Sequence, residues 1–520
     1  MQKVQLIHGP PGTDKTSVVD QLLRSPSTKG KFLQGACDKH IVAVVSEKNM
    51  AIDAVAASLL RRGGGVVGNA VWEETVAHGV AGSLGKNASL FLVKSKLDVH
   101  PDVVRAQGAY ELAEDDCTAA ENVLRLAIEE HFPCLVKAFP GLVLESGSAA
   151  LKTEDKTITT EWEAYQNSAK KACNDCERLC DLAHKFLPLC ANEDVNKAKH
   201  EIQSAQSRLL EARVERDATF NRAEKTRRDL EDKLWSSARV FLSTLGSAHG
   251  IVDLVKRKEL PGGKQEPVSM TVICDEASTV QSALFLGAFC NIAAVITNIV
   301  VIGDDRQLAP YWPLRDSTLQ PGSLFADAKY VTSPIFLSEQ YRAPRFVVPL
   351  LNAFFYVDDA LVHARPDRAS DESSALWVDV FDREPRAGKA SEESELEAAA
   401  AVEAAESCLA QGQSVMLITP YRRQLALLCR QIEGTAWQGS EMLTVCTVDG
   451  AQGQEADAVI VSLVKARPTR FLHERRMCVM LSRARSRLVL VGNYRTHATC
   501  QNRVLSTVAK GAKRVEVSEI

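Results

Sequence analysis

Short, unbroken apolar runs alternate along this chain with longer stretches of helical spacing. VQLIHG (Val4–Gly9) and HIVAVVS (His40–Ser46) are followed by helical patterns at Thr16–Arg24 and Met50–Arg62. A strand without polar alternation is buried on both faces, so these runs predict a parallel sheet covered by helices. The pattern resumes at ARVFLST (Ala238–Thr244), TVICDEAS (Thr271–Ser278) and NIVVIGDD (Asn298–Asp305). A second α/β unit is predicted after Pro344. Its strands are ALWVDVFD (Ala375–Asp382), SVMLITPY (Ser414–Tyr421), LTVCTVDGAQG (Leu443–Gly453), AVIVSLV (Ala458–Val464) and RLVLVGN (Arg487–Asn493). Glu393–Gly412 reads as a long helix, and the polar stretch Ala364–Ser374 as a loop.

Between the two parts of the first unit, strand signals disappear. From Asp102 to Ser236 the chain is charged and helical, with Ile202, Ala205, Leu209 and Ala212 spaced 3-4-3. A continuous helix from Glu193 to Ser236 would be about 65 Å long at about 1.5 Å per residue. The expectation is a helical or coiled-coil-like insertion that projects from the first domain as a solvated arm, with a nucleic-acid clamp as the alternative. Cys173, Cys176, Cys180 and His184, with Cys190 beyond, share one helical stripe. One straight helix cannot surround a tetrahedral metal, so a core stripe is the first reading and a zinc or iron–sulfur site the second. The expected segments are residues 1–101 and 237–344 (first domain), 102–236 (insertion), 345–510 (second domain) and 511–520 (tail).

Chemistry enters at LIHGPPGTDKTS, Leu6–Ser17. A phosphate-binding loop reads G-x-x-x-x-G-K-[ST], wraps backbone N–H groups around phosphates and ends at a helix N-terminus. Gly9, Pro10, Pro11, Gly12, Thr13, Lys15, Thr16 and Ser17 fill that frame, but the second required glycine is Asp14. Lys15 would reach the β/γ-phosphates and Thr16 would hold Mg²⁺. A carboxylate at Asp14, about 5 Å from a phosphate charge at effective ε of about 20, would cost about 3 kcal/mol, roughly a hundredfold in affinity. At the end of the apolar run VICDEAS, Asp275 is placed to support Mg²⁺ and Glu276 to polarise an attacking water.

Composition narrows the setting. The formal net charge is −4 and apolar content is 45%, so a nucleic-acid site would be a local groove. Fourteen scattered cysteines fit a reducing compartment. No run of apolar residues is long enough to cross a membrane, and an intracellular protein, cytoplasmic or nuclear, is expected.

Further blocks follow in order: VIGDDRQLAP (Val301–Pro310), LSEQYRAP (Leu337–Pro344), LITPYRRQ (Leu417–Gln424), TVDGAQGQEADAVIVS (Thr447–Ser462) and RRMCVMLSRARSRLVLVGN (Arg475–Asn493). Together with the loop and the acid pair, they resemble superfamily 1 helicases, most closely the group of the nonsense-mediated-decay RNA helicase and senataxin. The resemblance spans both halves of the chain apart from the insertion and the last few residues. It implies two tandem RecA-like domains that couple ATP and Mg²⁺ to movement on single-stranded RNA or DNA, 5′ to 3′. It implies that Gln307 senses the γ-phosphate, Tyr341 stacks on the base and Arg342 reaches the γ-phosphate across the cleft. Arg483 would be the second domain's arginine finger, while Gly453 and Glu455 would contact phosphate and ribose. Nucleic-acid contacts are implied at Ser46, Asn49, Thr244, Pro420, Tyr421 and Thr447, gripping backbone and not bases. Arg485 and Arg487 receive no role. Protein partners are unknown from the sequence, with the insertion as the candidate docking surface.

The chain departs from the group at Asp14, at Cys478 where asparagine is expected, and in its start about eight residues before Gly9. Two functions therefore stand side by side: an active ATP-dependent helicase, and a catalytically impaired helicase-like binding or scaffold protein.

Overall fold

A computed structural model describes residues 3–24, 40–62, 75–78, 98–138, 142–145, 148–151, 193–237, 240–252, 255, 269–312, 322–368, 371–380, 393–464 and 472–520. In chain order the first strands are β1 (Lys3–His8), β2 (Ile41–Ser46) and β3 (Thr75–His78), then β4 (Leu142–Glu145) and β5 (Ser148–Leu151). β6 (Val240–Thr244), β7 (Met270–Cys274), β8 (Ile296–Gly303) and β9 (Ile335–Phe336) follow. The first sheet has the order β3-β6-β2-β7-β8-β1-β9, and each of its pairings is parallel. All six residues of β2 and all five of β7 are buried, as strands covered on both faces must be. Val42, Val44, Leu242, Ile273, Val300 and Ile302 pack there against Val19, Leu23, Ile52 and Val55 of the helices Lys15–Arg24 and Asn49–Arg62.

β10 (Glu339–Gln340) pairs with β11 (Val362–His363) apart from either main sheet. β12 (Leu376–Asp379), β13 (Val415–Thr419), β14 (Leu443–Thr447), β15 (Ala456–Ser462), β16 (Ala484–Gly492) and β17 (Lys513–Val515) build the second. Its order is β14-β13-β15-β16-β12-β17, again with parallel pairings only. Trp377 is fully buried there, and its indole N–H is satisfied by the Gly492 carbonyl at 2.8 Å. The helix Glu395–Ala410 starts where Ser394 accepts from the Glu397 backbone N–H, and Ala398, Ala401, Ala404 and Ala405 pack in the core against the sheet.

Several elements differ from the sequence expectation. The run Thr271–Ser278 stops being strand at Cys274, because Glu276 turns the backbone with φ 51°. Leu443–Gly453 stops at Thr447, whose hydroxyl accepts from the Gly450 N–H and starts a turn. Residues 511–520 do not form a free tail. β17 pairs with β12, and the buried Ile520 accepts from Gln411 and Arg487 through its carbonyl.

Lys96–Lys233 forms a separate compact unit. Its two long helices, Pro101–Ala138 and Glu193–Ser237, pack antiparallel, since Glu121 meets Arg213, Tyr110 meets Phe220 and Asp98 meets Arg227. The stripe read from sequence is the seam: Ile202, Ala205 and Leu209 are buried, as are Val103, Ala113, Cys117 and Leu124 of the other helix. The cysteine cluster from Cys173 to Cys190 lies outside the described residues. Among the described residues no helix is long and apolar enough to cross a membrane.

Ile202 is completely buried, so Ile202→Ala should destabilise the helical unit by about 2–5 kcal/mol. Amide exchange should then rise along Pro101–Ala138 and Glu193–Ser237 while the two parallel sheets keep their protection. Equal loss in the sheets would show that the helical pair is not an independent unit.

Candidate active site

In a parallel sheet every carboxyl end leaves on the same edge, and β7, β8 and β1 are neighbours. The loops after them therefore converge: Gly9–Asp14 after β1, Asp275–Glu276 after β7 and Asp304–Gln307 after β8. The Gly9 N–H bonds the Gly303 carbonyl at 3.0 Å, tying two of these loops together. Lys15 folds back over its own loop, with Nζ 2.8 Å from the Gly9 carbonyl and 3.7 Å from Glu276 Oε1. A side chain at Gly9 would collide with the Lys15 stem. Gly12 has φ +73°, and a Cβ there would lie 2.7 Å from Arg342 Cβ and from Gln340 Nε2. Thr13 caps the turn through Pro10, while Thr16 and Ser17 sit half-buried in the first helical turn. Pro10 and Pro11 are buried in the loop itself.

Asp14 takes the left-handed conformation, φ 61°, that the missing glycine would have supplied. Its carbonyl accepts from the Val18 N–H at 3.2 Å, so the helix opens normally, and the residue is exposed. Aspartate tolerates this backbone region better than most residues, which explains how the loop keeps its shape.

The acid pair is buried. Asp275 Oδ1 accepts from the Glu276 N–H at 2.8 Å. Burial, and then the adjacent Glu276 charge, push the Asp275 carboxyl up. Burial pushes Glu276 up as well, but Lys15, a hydrogen bond from Gln452 and the charges of Lys48 and Arg483 outweigh it and hold Glu276 low. Of the pair, Glu276 is the carboxyl that its cationic neighbours hold low.

The opposite wall comes from the second sheet. Arg483 is 2% exposed; its Nη2 donates to Gln307 Oε1 at 3.2 Å, and its Nε donates to the Val479 carbonyl. Burial, then Arg342, lower its pKa to about 10, so it stays charged at neutral pH. Gln452 Nε2 donates to Glu276 Oε2 at 2.9 Å, and Lys48 Nζ reaches Gln452 Oε1 at 2.9 Å. Arg342 pairs with Glu455, which Arg485 also holds. In this conformation Arg342 and Glu455 thus engage each other, where phosphate and ribose contacts were expected of them. Gly453 takes φ +85° in the loop carrying Gln452, and Tyr341 is 46% exposed beside Glu339.

In the basic run Arg483–Arg487, Arg485 pairs with Glu455 and Arg487 with Glu372. Residues that sequence reasoning passed over include Lys48, Gln452, His8, Asp304 and Tyr356. His8, Asp304 and Gln452 lie inside the motif blocks, but nothing local marks which side chain of a block faces the cleft.

The residues expected to hold nucleic acid sit at strand ends on both sheets. Ser46 and Thr244 are register partners on β2 and β6, and Thr447 closes β14 beside Thr419 of β13, which leads into Pro420. Ser46, Pro420 and Tyr421 are buried, Thr244 and Thr447 are half-buried, and Asn49 is exposed. The side chains of Ser46, Pro420 and Tyr421 therefore do not face solvent in this conformation.

Two family profiles, both described as an AAA domain, match residues 1–312 and 322–495. Helicase sen1 of Schizosaccharomyces pombe is 28% identical over 393 residues, covering 69% of this chain and 22% of that protein. Helicase SEN1 of Saccharomyces cerevisiae is 23% identical over 536 residues, covering 95% of this chain and 22% of that protein. The chain thus spans less than a quarter of either relative. Among solved structures, Arterivirus nonstructural protein 10 (helicase) with DNA matches at 9% identity and TM-score 0.35, covering 98% of this chain and 63% of that one.

Burial pushes the Glu455 carboxyl up, but Arg342 and Arg485 outweigh it and hold it at about 2. A carboxyl held low in the fold stabilises above its unfolded pKa, about 4.3, and loses that contribution as pH falls toward 2. Because the side chain is 34% exposed, solvent screening reduces the effect to about 1 kcal/mol. Glu455→Gln should therefore melt lower than the parent at pH 7, and the gap should narrow as pH drops below about 4 and close toward pH 2. A difference that persists undiminished at pH 3 would mean that the charge pairing is not its source.

Proposed function

Because the chain belongs to the AAA-domain family, within the superfamily 1 helicases of the senataxin-like group, we propose that it hydrolyses ATP in the cleft between its two RecA-like sheets and uses the cycle to move 5′ to 3′ on single-stranded RNA or DNA. The observation that carries this reading is Arg483. It is buried, charged and bonded to Gln307 across the cleft, opposite Lys15 and Glu276.

Each residue has a part in the reaction. The loop Gly9–Ser17 binds the phosphates through its backbone, and Lys15 leaves Gly9 for the β/γ oxygens. Glu276, held low by Lys15 and bonded by Gln452, orients and polarises the attacking water, and Gln307 positions it from the other side. Arg483 and Arg342 meet the charge that spreads over the transferred phosphoryl group. Tyr341, exposed at the cleft rim, offers a ring for the base. Thr16 and Asp275 are hard oxygen donors suited to Mg²⁺, and a buried carboxyl pushed up by desolvation gains from a divalent neighbour. When bound, the ion would offset phosphate charge.

Because both walls contribute to one site, closing the cleft and completing the catalytic set are one event. Asn49, Thr244 and Thr447 offer accessible groups to the sugar–phosphate backbone along the strand ends of both sheets, and the buried Ser46, Pro420 and Tyr421 support that strip from beneath, without base specificity. The helical unit is a surface for protein partners.

The direct test is ATP hydrolysis with and without single-stranded nucleic acid. Glu276→Gln should keep ATP affinity while turnover falls by at least about a hundredfold. Undiminished turnover would remove Glu276 from the mechanism.

Asp14 gives a second test. Its exposed side chain softens the repulsion expected from sequence, so Asp14→Gly should tighten Mg·ATP by a few-fold to about tenfold. The gain should be smaller for ADP and should shrink with added salt, as read by calorimetry. Failure of both proteins to bind ATP would overturn the helicase reading.

A further inference from the structure

Asp304 is completely buried and takes hydrogen bonds from both walls of the cleft. Oδ1 meets His8 Nε2 at 3.0 Å and the Arg306 N–H at 3.0 Å. Oδ2 accepts from Gln307 Nε2 at 2.7 Å and from the Tyr356 hydroxyl at 2.6 Å. Tyr356 belongs to the apolar core of the second domain, with Leu351, Phe355 and Leu361, and is 3% exposed. Its ring lies 6.2 Å from that of His8 and 6.4 Å from that of Phe336, at the ends of β1 and β9. One phenol therefore joins the second domain to the carboxylate that holds Gln307.

That contact has a consequence for the Gln307 amide. A carboxylate only accepts, so the amide must turn its NH₂ toward Asp304 and its oxygen toward Arg483. The opposite orientation would set oxygen against oxygen and NH₂ against guanidinium. Burial and the neighbouring Asp304 charge raise the Tyr356 phenol far above its usual range, so it always donates.

We propose that Tyr356 is a positioning residue: its hydroxyl holds Asp304 across the cleft and thereby sets the Gln307–Arg483 pair in the orientation that the reaction needs. The claim rests on the helicase reading above and adds a residue that touches no reacting group. It also makes the pair conditional on domain closure. When the second domain moves away, Asp304 loses the phenol at the moment Gln307 loses Arg483.

Tyr356→Phe removes one oxygen and keeps the buried ring. With single-stranded nucleic acid present, turnover should fall about ten- to hundredfold while the KM for ATP stays within about twofold. Arg483→Lys combined with Tyr356→Phe should lose no more than Arg483→Lys alone, because both disturb one pair. Parent-like turnover in Tyr356→Phe, or a loss shown wholly as a raised KM, would overturn the proposal, as would fully additive losses. If the parent chain itself hydrolyses no ATP, the helicase reading has failed, and amide exchange over residues 304–307 decides the positioning claim. Faster exchange in Tyr356→Phe than in the parent would support it. Unchanged exchange would sink it.

Discussion

Parallel strand direction is the constraint from which the site follows. In the first sheet it brings the ends of β1, β7 and β8 to one edge, and in the second it does the same for β13, β14 and β15. No single loop of the chain contains a working set of groups. The loop Gly9–Ser17, the acid pair Asp275–Glu276 with Gln307, and Arg483 come from three widely separated parts of the sequence. They meet because parallel strands need crossover connections that return every strand to the same starting side.

Bringing those groups together places many charges out of water. Asp275, Glu276, Asp304 and Arg483 are all buried, and each has a partner within the cleft. Buried pairs of this kind add little net stability, but losing one partner is costly. Their value lies in specificity, because a half-made network is worse than none. The partners are divided between the domains: Glu276 faces Gln452, Gln307 faces Arg483, and Asp304 faces Tyr356. Closure of the cleft therefore makes these three contacts together, which suits a site whose two halves act together.

Asp14 shows how a broken motif survives in three dimensions. The family glycine supplies a left-handed backbone and leaves room for phosphate. Asp14 reproduces the backbone at φ 61° and turns its side chain to solvent. The loop geometry is preserved, while the charge remains near the rim. Gly12 has no such latitude, since Arg342 and Gln340 fill the space that any Cβ would need.

The sequence by itself determined the architecture and the order of the motif blocks. Short β-branched apolar runs such as IVAVVS read as strands buried on both faces, and their helical spacers favour parallel order. Ordered motifs likewise marked Lys15, Asp275, Glu276, Gln307 and Arg483. Very short strands such as β9 and β17 escaped, because two or three residues carry no periodicity and are held by their neighbours. Only the tertiary structure decided which side chains face each other: that Arg342 holds Glu455, that the run after Arg483 is pinned by acids, and that Lys48, Gln452 and Tyr356 reach the cleft. The physical reason is distance. Periodicity and propensity are local, whereas a hydrogen bond between residues 52 to 176 positions apart exists only once two sheets have packed and water has left the space between them.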